Sequence, residues 1–304
     1  MQLHRAIITH LVFVLIVSLS TPETQAAEYS HDLAKRMVVY AGASYCAGKK
    51  VIDDWSCKAC REVPGFQHIV QLHGQMTDAR AILGYDTLLQ ARVVAFMGTT
   101  ANMKTWIDDI LGVPTSCYVE IGCSGCKCHP GFKRTYDNIA EALYTAVNQL
   151  PSGKLIITGH SLGAAVATHF AMDLDSKGLR VDHIYTVGQP RVGNDAFANH
   201  YDRLGLDHWR VTHHRDPIPH LPWRGLGGYK HILREAYYKD ANADAPTKIC
   251  DAGFAEDPSC ADQFSDELTL PYLVDHFSYL GFSFTEDWIR CTLLDEYENS
   301  TVIV

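Results

Sequence analysis

The stretch that most constrains this chain is Gly159-His160-Ser161-Leu162-Gly163, which stands between an apolar run at 155–158 and an alanine-rich segment at 162–174. An apolar run of that length reads as a strand buried on both faces, and the small-residue segment reads as a helix. The five residues between them must reverse the chain within a single sharp turn. At such a turn the positions two before and two after the serine have no room for a side chain, so both are glycine. The hydroxyl is pushed out at the head of a helix, where negative charge developing nearby is favoured. A bare Gly-x-Ser-x-Gly is a common surface turn, and the strand and helix around this one give it chemical meaning.

The remaining elements fit the same plan. Segments 66–72 and 79–85 read as two strands joined by the turn Gly74-Gln75-Met76-Thr77-Asp78, which makes a hairpin. Residues 92–97 form a short apolar run ended by Gly98, another buried strand. From Tyr136, the apolar positions Ile139, Leu143, Val147 and Leu150 recur at helical spacing until Pro151-Ser152-Gly153 stops them. Further strands are expected at 183–187 and 209–213. Strands alternating with helices imply an α/β class with a mostly parallel central sheet and helices on both faces.

The opening residues MQLHR are basic and lead into an apolar run at 6–19, followed by the small residues around Thr24-Gln25-Ala26-Ala27. The run is shorter than the ~20 residues that span a bilayer, so residues 1–27 are expected to be a signal peptide removed after Ala26 or Ala27, and no transmembrane segment is expected. Residues 28–304 carry no repeat, low-complexity tract or linker and are read as one domain. The net charge of −9 and the lack of a Lys/Arg cluster argue against nucleic acid and against tight binding to anionic membranes. Ten cysteines in an exported chain favour disulfides. Cys123-x-x-Cys126-x-Cys128-His129 also has the spacing of a closed zinc site, a reading that export disfavours.

A serine hydroxyl becomes a good nucleophile only when a histidine takes its proton, and that histidine needs a carboxylate to hold its tautomer. After a strand–turn–helix serine the acid comes next in sequence and the base last. Asp216 follows the strand expected at 209–213 and is stopped by Pro217-Ile218-Pro219, although Asp before Pro is also ordinary turn chemistry. Among sixteen histidines, His276 lies after the acid near the C-terminus, whereas His160 is inside the turn and His213, His214 and His220 crowd the acid. His231 is the rival.

The blocks GHSLGAA, TVGQPRVGN at 186–194, RVTHHRDPIPHLP at 210–222 and DHFSYLG at 275–281 together resemble the fungal-type class 3 lipases of the α/β-hydrolase superfamily, over nearly the whole exported chain. The resemblance implies an α/β-hydrolase fold with a helical lid and a secreted, extracellular triacylglycerol lipase or carboxylic ester hydrolase. It assigns Ser161, Asp216 and His276 as the catalytic residues. An oxyanion hole would form from Thr99, in the block Phe96-Met97-Gly98-Thr99, and from the N–H of Leu162. Where Met97 stands the family more often has arginine. Met103, Trp106, Ile107 and Ile110 form an apolar face that suits either an ordinary core-facing helix or, as the resemblance implies, the family's lid helix, which would meet substrate at a lipid–water interface.

The resemblance also suggests bridges Cys46–Cys291, Cys57–Cys60 and Cys250–Cys260. Cys117, Cys123, Cys126 and Cys128 depart from the fungal pattern and allow three pairings. Phospholipase, galactolipase and feruloyl-type esterase activities share the scaffold, and an inactive lipid-binding protein is the reading from another class. No metal or cofactor is required, a monomer is expected, and Asn299 begins a glycosylation sequon.

Overall fold

The computed structural model describes residues 28–99, 110–251, 253–264, 270–285 and 291. The expected signal peptide at 1–27, Met103, Trp106, Ile107 and Asn299 lie outside them. Eight strands stand side by side in chain order: Phe66–His73 (β1), Arg80–Asp86 (β2), Ala91–Phe96 (β3), Lys154–His160 (β4), His183–Val187 (β5), His208–His213 (β6), Glu235–Tyr238 (β7) and Lys248–Ile249 (β8). β1, β2 and β3 pair antiparallel, β3 to β7 run parallel, and β8 closes the edge antiparallel.

Alternation along the strands divides the interior into two layers. Ala81, Leu83, Val94, Phe96, Leu155, Ile157 and Ile184 point to one side. There they meet the buried faces of Pro130–Asp137, Ala140–Gln149, Leu162–Ser176 and Asp195–Arg203. Their neighbours Ile82, Val93, Ala95, Ile156, Tyr185 and Val187 point to the other side, against the helix His31–Ala43. Four labels follow from this: α1 for His31–Ala43, α2 for Pro130–Asp137, α3 for Ala140–Gln149 and α4 for Leu162–Ser176. Ser30 caps α1 by accepting the Leu33 N–H at 3.3 Å, and nearly every residue of its second half is buried.

The single helix expected from Tyr136 to Leu150 is two helices, and the first begins at Pro130. Its apolar face is as expected, with Tyr136, Ile139, Leu143 and Val147 all buried. The break falls at Ile139, whose backbone leaves the helical region at φ −123°, next to Asn138, whose carboxamide oxygen accepts from the Met76 N–H, the Thr77 N–H and the Thr77 hydroxyl. β7 has no expected counterpart.

All ten cysteines are bridged: Cys46–Cys291, Cys57–Cys60, Cys117–Cys128, Cys123–Cys126 and Cys250–Cys260. The zinc reading of Cys123, Cys126 and Cys128 therefore falls, since a bridged sulfur is no thiolate ligand. The same holds for Cys250 and Cys260, which lie beside Glu235. Cys117–Cys128 and Cys123–Cys126 tie a small four-stranded sheet formed by Thr115–Ser116, Lys127–Cys128, Gly193–Asn194 and Tyr229–Lys230. Among the described residues no helix is long and apolar enough to cross a membrane.

Candidate active site

Ser161 joins β4 to α4 with φ 59° and ψ −126°, a left-handed backbone that a side-chain-bearing residue adopts only under constraint. The constraint is visible on both sides of the serine. A Cβ on Gly159 would lie 2.3 Å from the Gly163 carbonyl oxygen, and a Cβ on Gly163 would lie 2.3 Å from that of Phe96. Both obstacles are backbone, so neither can swing away. The Ser161 N–H donates to the Val187 carbonyl at 3.0 Å, which fixes the turn to the end of β5.

Asp216 and His276 come together from separate loops. Asp216 lies three residues beyond the end of β6, and its N–H donates to the His213 carbonyl at 2.9 Å. His276 ends the short helix Leu273–His276. His276 Nδ1 stands 2.8 Å from Asp216 Oδ2, and both residues are buried. Tyr279 donates its hydroxyl to the same oxygen, while Asp216 Oδ1 accepts the Ile218 N–H at 2.8 Å. Burial, and then the nearby Asp216 charge, push the Tyr279 hydroxyl well above its ordinary pKa, so it stays a donor. An acceptor carboxylate at Nδ1 puts the proton there and leaves Nε2 as the basic lone pair.

Gly188, directly after β5 and at φ +56°, brings the parts together. A Cβ there would sit 2.9 Å from His276 Nδ1 and 3.0 Å from Asp216 Oδ2, one residue beyond the carbonyl that holds Ser161. Ser161 Oγ and His276 Nε2 are both buried, and among the described residues neither has a hydrogen-bond partner. A buried hydroxyl and a buried lone pair left unpaired carry a free-energy cost, as is common where a reaction takes place.

Behind the turn, His160 stacks on Phe284 with ring centroids 3.8 Å apart. Its Nε2 lies 2.8 Å from the His276 carbonyl, and its Nδ1 lies 2.7 Å from the Tyr45 hydroxyl. A carbonyl can only accept, so Nε2 carries the proton and Nδ1 accepts from Tyr45. Complete burial, with the His276 ring adding to it, holds His160 well below the usual imidazole pKa. It is a neutral spacer.

The segment Phe96-Met97-Gly98 packs directly on the turn, since Met97 O lies 2.8 Å from the position of a Gly163 Cβ and His160 O lies 2.8 Å from that of a Gly98 Cβ. Half-buried Thr99 continues that segment, and Leu162 opens α4 immediately after Ser161. Ile110, the one described member of the expected lid face, is buried in the layer that holds α2, α3 and α4. His231 makes no bond to Asp216. Its Nε2 lies 2.6 Å from the Pro219 carbonyl, and burial keeps it neutral. Sequence reasoning missed Tyr279 and Gly188, because neither has a spacing signal that points to a residue so distant in the chain.

Residues 93–225 match the model of the lipase (class 3) family. The chain is 31% identical over 248 residues to a lipase of Rhizomucor miehei, across 79% of this chain and 66% of that one. It is 35% identical over 217 residues to secreted mono- and diacylglycerol lipase A of Penicillium cyclopium, across 67% of this chain and 69% of the relative. These alignments thus span about two thirds of each relative's own length. A solved triacylglycerol lipase whose catalytic centre is a serine protease triad superposes with a TM-score of 0.73 at 29% identity, over 84% of this chain and 96% of that one.

Proposed function

The chain belongs to the class 3 lipase family, and from that premise we propose that it is a secreted triacylglycerol lipase with Ser161 as nucleophile, His276 as general base and Asp216 as the acid that orients it. The observation that carries this reading is the 2.8 Å His276–Asp216 contact, with a buried Nε2 and a buried Ser161 hydroxyl that have no hydrogen-bond partner among the described residues. Ser161 Oγ attacks the ester carbonyl as His276 Nε2 takes its proton. The carbonyl oxygen becomes an oxyanion held by the Leu162 N–H and by the N–H and hydroxyl of Thr99. Collapse of the intermediate expels the alcohol, which takes the proton back from His276 and leaves an acyl-serine. Water then repeats the steps with His276 again as base, releasing the fatty acid. Each oxyanion donor is expected to contribute roughly 3 kcal/mol to transition-state stabilisation.

The lipid-surface part of the reading rests on the apolar spacing of Met103, Trp106, Ile107 and Ile110. The test is hydrolysis of emulsified triolein and of soluble p-nitrophenyl butyrate by wild type and Ser161→Ala, with a short-chain triglyceride taken across its solubility limit. The expected result is Ser161-dependent cleavage of triolein and a rate that climbs once an interface forms. Activity on diolein and monoolein alone would move the substrate to partial glycerides. Activity on butyrate alone would leave a polar-ester hydrolase of this fold, and wild-type rates in Ser161→Ala would overturn the assignment.

A further inference from the structure

The Asp216–His276 bond joins loops 60 residues apart in the chain, so something must fix one loop against the other. Asp275, next to His276, makes that connection. Its carboxylate Oδ2 lies 2.9 Å from His214 Nδ1 and accepts the Arg215 N–H at 3.3 Å. Its backbone carbonyl lies 3.0 Å from His213 Nδ1. Three consecutive residues thus grip Asp275, and the next residue is Asp216.

His214 adopts φ 43° to make this contact, and its own N–H is fixed to the Tyr238 carbonyl at 2.7 Å, at the end of β7. A left-handed backbone at a non-glycine residue persists only where the surroundings over-determine it. Arg215 adds a second link, since its guanidinium donates to the Tyr272 hydroxyl at 2.5 Å and lies over the Tyr272 and Phe264 rings. On the opposite side of the base, His160 holds the His276 carbonyl.

We propose that Asp275 is a positioning residue for the hydrolysis: it staples the loop of the base to the loop of the acid and so sets the direction in which His276 Nε2 points. The inference rests on the Ser161–His276–Asp216 reading given above. Magnitudes separate this role from a stabilising one. The Asp275 and His214 side chains are 16% and 33% exposed, and even a charged pair so exposed contributes little to folding. Proton transfer is far less forgiving, because a displacement of about 1 Å can cost on the order of a hundredfold in rate.

The experiment uses the full chain with soluble p-nitrophenyl butyrate, and compares wild type, Asp275→Ala, Asp275→Asn, His214→Ala and the double variant His214→Ala/Asp275→Ala. The expected result is a kcat roughly ten- to a hundredfold lower in Asp275→Ala with KM unchanged. Asp275→Asn should recover much of that rate, because its carboxamide oxygen can still accept the Arg215 N–H. The double variant should be no slower than Asp275→Ala alone. The low-field proton resonance of the His276 Nδ1–Asp216 bond should be sharp in wild type and broadened in Asp275→Ala, while thermal melting stays close to wild type. A wild-type kcat in Asp275→Ala, or a loss that only tracks the folded fraction with the resonance unchanged, would overturn the inference. Wild-type rates in Ser161→Ala, measured alongside, would instead overturn the reading on which it rests.

Discussion

The turn that carries Ser161 and the pair made by Asp216 and His276 meet in one site, yet they are held by different physics. The turn is local. Its strand, its two glycines and its helix are consecutive, and what shapes it is backbone against backbone, with Gly159 against Gly163 and Gly163 against Phe96. The pair is assembled from distant segments by hydrogen bonds, with Tyr279, Ile218 N–H and His276 all on one carboxylate. Steric exclusion admits no partial loss, whereas a set of three donors can lose one and keep its shape. The two halves should therefore fail in different ways.

The largest effect should come from Gly163→Ala. The added methyl would stand 2.3 Å from the Phe96 carbonyl oxygen and 2.8 Å from that of Met97, so the turn or β3 must move. Overpacking typically costs about 1–3 kcal/mol, and here neither neighbour is a side chain that can yield, so more than about 3 kcal/mol is expected. Thermal melting and labelling by a fluorophosphonate probe should both collapse. Gly225→Ala serves as the control, since nothing lies within 4 Å of its added methyl. Equal melting of the two variants would show that the turn is as adaptable as the pair.

Acid should test both regions, because each buries neutral imidazoles. Burial, with Lys133 and His129 adding, lowers His169 on α4 to about 3. Burial, with Arg191 adding, lowers His220 beside the acid loop to about 4. A histidine held below its unfolded value of about 6.5 takes up a proton on unfolding, so its contribution is fully present above pH 6.5 and is lost as pH falls towards the folded value. For His220 that loss amounts to roughly 3 kcal/mol, spread between about pH 6.5 and 4. Melting temperature should fall through that window, and His220→Gln should flatten the slope. An unchanged slope would mean that His220 opens to solvent before the chain unfolds.

The same contrast governs what could be read from residues alone. The turn, the hairpin and the alternating strands β2 to β6 were legible, because a strand period or a tight turn is written in consecutive residues. β7 was not, since its first residue, Glu235, is a buried charge that interrupts any apolar run. It is held there by Arg210, 3.0 Å away, by the Thr212 hydroxyl at 2.6 Å and by the Ala261 N–H at 3.1 Å. The break in the helix after Tyr136 was hidden because neither Pro nor Gly marks Asn138-Ile139, where the backbone departs. Asp216 was ambiguous for a good reason: Oδ1 performs turn chemistry on Ile218 while Oδ2 meets His276. Both descriptions of that side chain are true, one for each oxygen. The links made by Tyr279 and Asp275 depend on partners that no spacing rule can reach.

The smallest and most discriminating effect is expected from Tyr279→Phe. The ring keeps its place in the layer that contains α1, so packing is preserved and only the donor to Asp216 Oδ2 is removed. A hydrogen bond to a charged group contributes about 1.5–3 kcal/mol in general, but Asp216 would still hold the Ile218 N–H and His276 and would not be left bare. The rate should therefore fall by only about tenfold in kcat, near the low end of that range, with KM for a soluble ester unchanged and melting little altered. A loss as deep as that of Asp216→Ala would mean that the pair has no redundancy, and that it fails all at once as the turn does. A wild-type kcat would mean that two donors suffice to orient the carboxylate, and the difference between a region shaped by exclusion and one shaped by shared hydrogen bonds would be sharper still.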